Sequence, residues 1–473
     1  GAAYRFPSGL TVSGYYLYGS TLGAQRTFAL NPRAPAVGPG TEASPPAVAV
    51  RPTRAALPEA WSTAWAGDAP SLGLLAGGVA QGLAAEGLVL EDITLGARDA
   101  RILIRTPRYN QAAQALGRAA RVLSRSLPAS WERFESVLMQ RGIPTTSVTL
   151  ARRDLEELEY APDNAWRSYA RARIADGGDV PIPPRAAVAP RLTYGLRGYS
   201  NPSFFDPDEP ILIDVGAEAS LRYEVRPNAV FTGVIQQPIL TNRDNTNRIS
   251  DSKLPKVRSE SDDYSRGRGA RLEQLTFEYF FRPGRALYGR VTAGYLERAF
   301  AGLSGEILWK PVSSSLALGV ELNAVHQRQP GELFELGSGI YGTDVITGHA
   351  SAYYRFDNGF QGQVDFGRYL AGDWGGTFTL SRQVGNGFEV GAFFTLTDVS
   401  FDDFGEGAFD KGIFFSLPVL FVTGQPSRTR SGLVLRPILR DGGARVQVNN
   451  RLYGIVARDT EPYLQDGWAR FWR

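Results

Sequence analysis

The side chains best suited to chemistry crowd one acidic stretch, DVSFDDFGEGAFDKG, which holds Asp398, Asp402, Asp403, Glu406 and Asp410. Carboxylate oxygens this close could bind Ca²⁺, although the spacing does not follow an EF-hand loop. Two of them could also serve as an acid–base pair on a glycosidic bond, a role that needs a carboxyl separation sequence spacing does not set. A solvated loop is the simpler reading. The two histidines, His326 and His349, fall on different strand-like runs and share no metal-binding spacing. The chain has no Cys, which removes thiolate ligands and disulfides. No nucleophile elbow, phosphate-binding loop or dinucleotide fingerprint occurs, and SGLTVSG has the wrong spacing and no βαβ context. The expectation is a protein that is not an enzyme, with no catalytic residue, cofactor or metal.

A second charged stretch, Thr241 to Ala270, carries Arg243, Arg248, Lys253, Lys256, Arg258, Arg266 and Arg268 among Asp244, Asp251, Glu260, Asp262 and Asp263. Mixed charge suits a solvated loop. The functional alternative is contact with anionic lipopolysaccharide or an acidic polysaccharide. Arg258, Arg266, Arg268, Asp402, Asp403 and Glu406 are the candidate extracellular contacts. A net charge of +3 lacks the concentrated basic face that nucleic acid would need.

The elements that hold these loops have their own signature. In ILIDVGAEASLRYEV, Asp214, Gly216, Glu218, Ser220, Arg222 and Glu224 alternate with Ile213, Val215, Ala217, Ala219, Leu221, Tyr223 and Val225. Period two places the two sets on opposite faces of a strand. Soluble strands usually run about 5–6 residues, whereas a membrane-spanning strand takes about 9–11 with an apolar outer face and a polar lumen. The same alternation surrounds Glu278, Glu306, Arg355, Gln363, Asp365 and Glu389, and recurs at Arg445, Gln447, Asn449 and Arg451 against Val446, Val448 and Leu452. Asp214, Glu218, Arg222, Glu278, Glu306, Arg355, Gln363, Asp365, Glu389 and Arg445 are candidates for a polar polymer's path through a lumen; alternatively they cross-link a filled one. Arg368, Arg382 and Glu297 interrupt the apolar face and are expected near strand ends.

Connections alternate as well. RPN, RPGR, PVSSS, DNG and GNG are short, whereas NPSFFDPDEP, 241–268, 329–345 and SFDDFGEGAFDKG are long and fall at every other gap, with short exceptions near Phe300 and Leu370. Outer-membrane barrels show this asymmetry, and a sandwich of two soluble sheets has no reason to. The expected fold is mostly β: a transmembrane antiparallel outer-membrane β-barrel of about 12–14 strands over residues 186–473. Residues 55–185 read as a small periplasmic α+β domain, helix–strand–strand twice over, with an amphipathic helix in AAQALGRAARVLSRSL whose Arg118, Arg121 and Arg125 lie off the apolar face. Residues 1–54 read as one strand and a Pro/Gly-rich linker. SLGLLAGGVAQGLAAEGLVL is Gly-rich and interrupted by Gln81 and Glu86, so it reads as a helix and strand of that domain and not as a helical span.

ALGRAARVLSRSLP, GLRGYSNPSFFDPDEP, GYLERAFAGLSGEILW and above all FGRYLAGDWGGTFTLSRQVGNGFEVGAFFTLTD with FGEGAFDKGIFFSLP together resemble the YjbH family of outer-membrane proteins, related to the group 4 capsule protein GfcD. The resemblance covers about residues 50–420. It implies a role in exopolysaccharide or capsule production and export in the outer membrane; taken with the alternation and the loop parity, the expected mechanism is a passive conduit or docking platform. It also implies partners: the exopolysaccharide, lipopolysaccharide and outer-membrane lipid, and other proteins of a polysaccharide secretion operon. The family has no established catalytic residue to carry over. Its members are usually longer, and many are lipoproteins anchored through an N-terminal Cys, which this chain lacks. A general diffusion porin and a barrel enzyme that modifies surface glycans are the rival readings.

Overall fold

The structure, a computed structural model, describes residues 1–6, 11–17, 19, 21–27, 44–182, 191–204, 211–245, 250–385, 387–404, 409–419, 427–436 and 439–473. β1 (Ala2–Arg5), β2 (Thr11–Leu17) and β3 (Thr21–Thr27) form a small antiparallel sheet. The strand expected in SGLTVSGYYLYG is β2; most of the linker after it lies outside the described residues.

Next comes α1 (Ala69–Ala85), capped by Asp68, whose carboxylate accepts from the Ser71 amide at 3.1 Å. β4 (Val89–Leu95), β5 (Asp99–Arg105), α2 (Ala112–Ser126), β6 (Arg133–Gln140) and β7 (Ile143–Ala151) follow. α3 (Arg152–Leu158), α4 (Asn164–Arg171) and β8 (Arg173–Asp176) complete this part. The five strands lie in chain order, antiparallel except where β5 and β6 run parallel. α2 makes that one crossover, since parallel neighbours need a long connection.

The rest is one antiparallel meander of thirteen strands. It begins with β9 (Leu192–Ser200), after which β10 (Ser203–Phe204) and β11 (Ile211–Leu212) make a separate small pair. It continues through β12 (Asp214–Arg226), β13 (Ala229–Thr241), β14 (Arg271–Gly284), β15 (Leu287–Tyr295), β16 (Phe300–Trp309) and β17 (Leu316–Gln327). β18 (Asp344–Arg355), β19 (Phe360–Arg368), β20 (Trp374–Gln383), β21 (Glu389–Thr397), β22 (Asp410–Pro418) and β23 (Arg430–Leu435) end it. The edge strands are β9 and β23, and no pairing joins them among the described residues.

This sheet is polar where a soluble sheet would be apolar. On β17, Glu321 and Asn323 are buried while their neighbours Leu318, Val320 and Leu322 are exposed by 46, 53 and 61%. The same inversion holds on β14, where Gln274, Thr276 and Glu278 are buried and Leu275 and Tyr279 exposed, and on β19, where Asp365 is buried and Val364 and Phe366 exposed. Water rewards the opposite arrangement.

The two ends of the sheet differ. The long connections 242–270, 328–343 and 398–409 share one end, together with the short exceptions 296–299 and 369–373; 398–409 includes the short helix α5 (Phe401–Phe404). The tight turns share the other end, which also carries the longer connection 419–429 and rests on the five-stranded domain. Arg282 donates to the Pro144 carbonyl and to Asp176 (2.7 Å), and Asp176 also accepts from the Ala286 amide (2.7 Å). In the β6–β7 turn, Arg141 and Gly142 both hold positive φ (50° and 73°), as a two-residue hairpin demands. A Cβ on Gly142 would stand 2.1 Å from the Pro227 carbonyl carbon in the β12–β13 turn. Gly142→Ala therefore separates the two turns, and limited proteolysis of the junction should report faster cleavage than in the parent.

The chain does not finish as a strand. Residues 439–451 are irregular, followed by α6 (Leu452–Val456) and α7 (Glu461–Gly467). The alternation from Arg445 to Leu452, expected to mark a strand of the sheet, belongs to an extended segment with no sheet partner. Its period of two arises because Ala444, Val446 and Val448 pack among Val257, Leu296, Phe300 and Leu370, while Arg445, Asn449 and Arg451 meet polar groups. Any extended peptide between two unlike environments shows that period.

Candidate functional site

The C-terminal segment lies against the polar face of the sheet and fills much of it. Arg451 reaches Glu321 with two nitrogens (2.8 and 2.9 Å), and Arg445 reaches Glu321 (3.4 Å) and Asp365 (2.9 Å). Arg290, wholly buried, sits between Glu306 (3.1 Å) and Glu321 (3.3 Å). The Leu452 amide donates to both oxygens of Glu306 (3.1 and 3.0 Å), and Asn450 donates to both of Glu278 (2.8 and 3.0 Å). Lower down, Arg355 pairs with Asp466 and stands 3.9 Å from the centre of the Tyr463 ring, and Tyr353 stacks on Tyr453 at 3.9 Å. At the long-loop end the Asp441 carboxylate accepts from three successive amides, Val257, Arg258 and Ser259 (2.8–2.9 Å). Buried charges need such partners, because each leaves water at a cost of several kcal/mol.

The segment is held beyond the sheet as well. Its last residues cover the arginine side of α2. The Arg118 Nε donates to the Arg473 carbonyl (3.2 Å), and Arg121 donates to the carbonyls of Phe471 (3.2 Å) and Trp472 (3.1 Å). Trp468 and Trp472 both donate to Ser168 Oγ, at 3.0 and 3.2 Å. Arg118 and Arg121 are thus buried, whereas Arg125 stays exposed. Burial lowers the Arg121 pKa below its ordinary value, against the pull of Glu159, and burial beside Glu461 pushes Tyr169 up to about 12.

The ten residues read as a polymer path divide by position. Glu278, Glu306, Arg355, Asp365 and Arg445 are engaged within the C-terminal segment's contacts. Gln363 donates to Asp365 (2.7 Å), and Glu389 pairs with Arg430 (3.1 Å). Asp214 is buried with Arg271 and Tyr199, Glu218 with Arg197 and Gln236, and Arg222 pairs with Glu224. Of the loop candidates, Arg258 is buried, pairs with Glu297 (2.7 Å) and donates to the Arg445 carbonyl (2.9 Å). Glu297 accordingly faces this interior and not the apolar surface. Arg266 pairs with Asp263 and Arg268 is exposed. Asp403 pairs with Lys253 (2.5 Å), tying the two charged loops together, Asp402 is exposed, and Glu406 lies outside the described residues. Among the described residues no three His, Asp or Glu side chains gather as a metal site would require.

Sequence reading missed Arg290, Glu321 and Asp441. Glu321 was within reach, since LALGVELNAVHQ alternates like the other strands. Asp441 gave no such signal, because its three amide partners lie over 180 residues away along the chain.

These features define a class: a long-stranded antiparallel sheet, apolar outward and polar inward, packed around its own C-terminal segment with an α+β domain against its short-turn end. No helix among the described residues is long and apolar enough to cross a membrane. The chain belongs to the YjbH family, whose model, described as exopolysaccharide biosynthesis protein YbjH, matches residues 1–458. The Escherichia coli (strain K12) protein named uncharacterized lipoprotein YjbH is 31% identical over 274 residues, 56% of this chain. The match spans 39% of that relative's length.

Proposed function

We propose that the protein is an outer-membrane β-barrel that passively supports production and export of an exopolysaccharide, with the α+β domain in the periplasm as a docking platform for partner proteins. The observation that carries this is the inverted polarity of the thirteen-stranded sheet. Strands of up to fourteen residues with exposed Leu, Val, Phe and Trp on one face suit hydrocarbon and not water. The short turns on the α+β domain agree, since short turns face the periplasm in such barrels. The family supplies the polysaccharide. Being named a lipoprotein, the relative supports an envelope location.

The segment packed on β14 to β19 weighs against a wide-open porin, because Arg290, Glu306, Glu321, Arg445 and Arg451 occupy that part of the interior. A glycan-modifying enzyme has less support, since the acidic loop's Asp403 is held by Lys253 and not by a second carboxyl.

A charge on the outer face separates membrane from water. Val320 lies mid-strand on β17 and is 53% exposed. Val320→Arg should cost about 2–4 kcal/mol if that face meets lipid, and the protein should fail to accumulate in the outer-membrane fraction. Normal accumulation would mean the face meets water, and the barrel reading would fall. Export itself is tested in a strain lacking the gene: less polymer outside with more trapped in the periplasm is expected, and unchanged amounts in both places would remove the export role.

A further inference from the structure

The C-terminal segment does not occupy all of the sheet's polar side. Apart from Asp459, which pairs with Arg428 just before β23, its contacts with charged residues of the sheet fall on β14 to β19, leaving much of a sector formed by β9, β12, β13 and β23. Two cavities lie there. One, of about 710 Å³, is lined by Arg197 of β9, Glu218 of β12, Gln236 of β13 and Arg436 just beyond β23, with Gln447 and Asn449 as its wall toward the C-terminal segment. The other, of about 350 Å³, lies toward the α+β domain and is lined by Arg105, Arg141, Arg222, Glu224 and Arg428. Glu218, Arg222 and Glu224 share one face of β12, so both cavities lie along the same strand.

Between them the row that crosses β12 carries no charged side chain. Ser220 pairs with Gly195 on β9 and with Val234 on β13. Gly195 adds no side chain to this row, and a Cβ there would already crowd Ser220 Oγ at 3.2 Å.

We propose that a polar side passage runs along the inner face of β12, beside the C-terminal segment and not through it, and that it takes a hydrated neutral saccharide chain. This deepens the export reading and rests on it. The charge pattern argues for the ligand class. Every charged residue lining the larger cavity is paired: Arg197 with Glu218, Arg243 with Asp262, Arg258 with Glu297, Arg298 with Glu273 and Arg436 with Asp410. Paired charges and amides offer many weak hydrogen bonds to hydroxyl groups without a net field to trap an ionic polymer. Conduction needs sites attractive enough to enter and weak enough to leave. In the smaller cavity Arg222 pairs with Glu224, Arg105 with Glu91 and Arg428 with Asp459, and Arg141 donates to Asn450 of the C-terminal segment. The passage and the segment therefore share a wall, and the chain can pass without the segment leaving.

Because the chain has no Cys, single thiols can be placed in it. Ser220→Cys is nearly isosteric and should leave the fold unchanged. Ser304→Cys serves as the comparison, since Ser304 is buried on β16 beside Arg290, on the side the C-terminal segment covers. The full chain is inserted in planar bilayers, and conductance and its block by maltohexaose are measured before and after a trimethylammonium methanethiosulfonate reagent. In the Ser220→Cys protein, modification of the introduced thiol should reduce conductance to a small fraction and abolish block by the oligosaccharide, while the Ser304→Cys protein is unaffected. Complete modification of the Ser220→Cys protein by mass spectrometry with conductance unchanged would overturn the passage. So would equal block through position 304, or an inserted parent protein that conducts nothing. Absence of the parent from the outer-membrane fraction would instead overturn the reading beneath it.

Discussion

Glu321→Gln should detach the C-terminal segment from the sheet at a cost of about 3–5 kcal/mol, the range for removing one partner from a buried ionic cluster. Glu321 is 4% exposed and is the common partner of Arg290, Arg445 and Arg451. The amide keeps the shape of the carboxylate but neutralises none of the three guanidinium groups. Arg290 keeps Glu306 and Arg445 keeps Asp365, so Arg451 suffers most. Arg451 is also the last residue before α6, and its loosening frees the whole stretch 439–452. Trypsin should then cut after Arg440, Arg445 or Arg451 in the detergent-solubilised variant, with the parent resistant. Arg451→Met removes one cation and leaves Glu321 two others, so its effect should be smaller. Equal trypsin resistance in the Gln variant and the parent would mean that the segment is held by something other than this cluster.

The second large effect is expected at Gly117→Ala. Within a helix this exchange ordinarily adds about 1 kcal/mol of stability. Here a Cβ would stand 1.7 Å from the Phe471 carbonyl oxygen, a backbone atom that cannot swing aside. The tail must lift from α2. It would then lose the burial of Trp468 and Phe471, which are stacked at 5.0 Å and exposed by 2 and 0%, and the carbonyl partners of Arg121. Emptying one such aromatic site costs about 3–5 kcal/mol. The sign is therefore reversed relative to propensity. A thermal unfolding scan should place the variant below the parent, with hydrogen exchange rising in 461–473. A variant more stable than the parent would show that the tail does not dock on α2.

Both effects concern contacts that no local pattern announces, whereas much of the fold is local. The alternation that begins at Asp214 could be read because a strand's two faces meet different media, and β12 spans the run from Asp214 to Arg226. α1, α2 and the strands β4 to β7 lie where periodicity and breakers placed them. Among the described residues the meander has thirteen strands, against the twelve to fourteen expected of a barrel, without the run from Arg445 expected to be one of them.

Period, however, reports only that two environments differ; it does not name them. Arg445 to Leu452 alternates as the strands do, yet lies unpaired between apolar side chains and a polar wall. Arg118 and Arg121 read as the polar side of an amphipathic helix, and that side is buried beneath residues more than 340 positions away along the chain.

What the sequence determined by itself was therefore the element types, the polarity of each strand face and the alternation of long and short connections, because these depend on neighbours within one strand or turn. Only the tertiary structure decided what the polar face is for. Buried carboxylates must find cations, and that they find them on the chain's own last residues depends on where the end of the chain returns. No spacing encodes that return. It follows from the sheet curling around the segment.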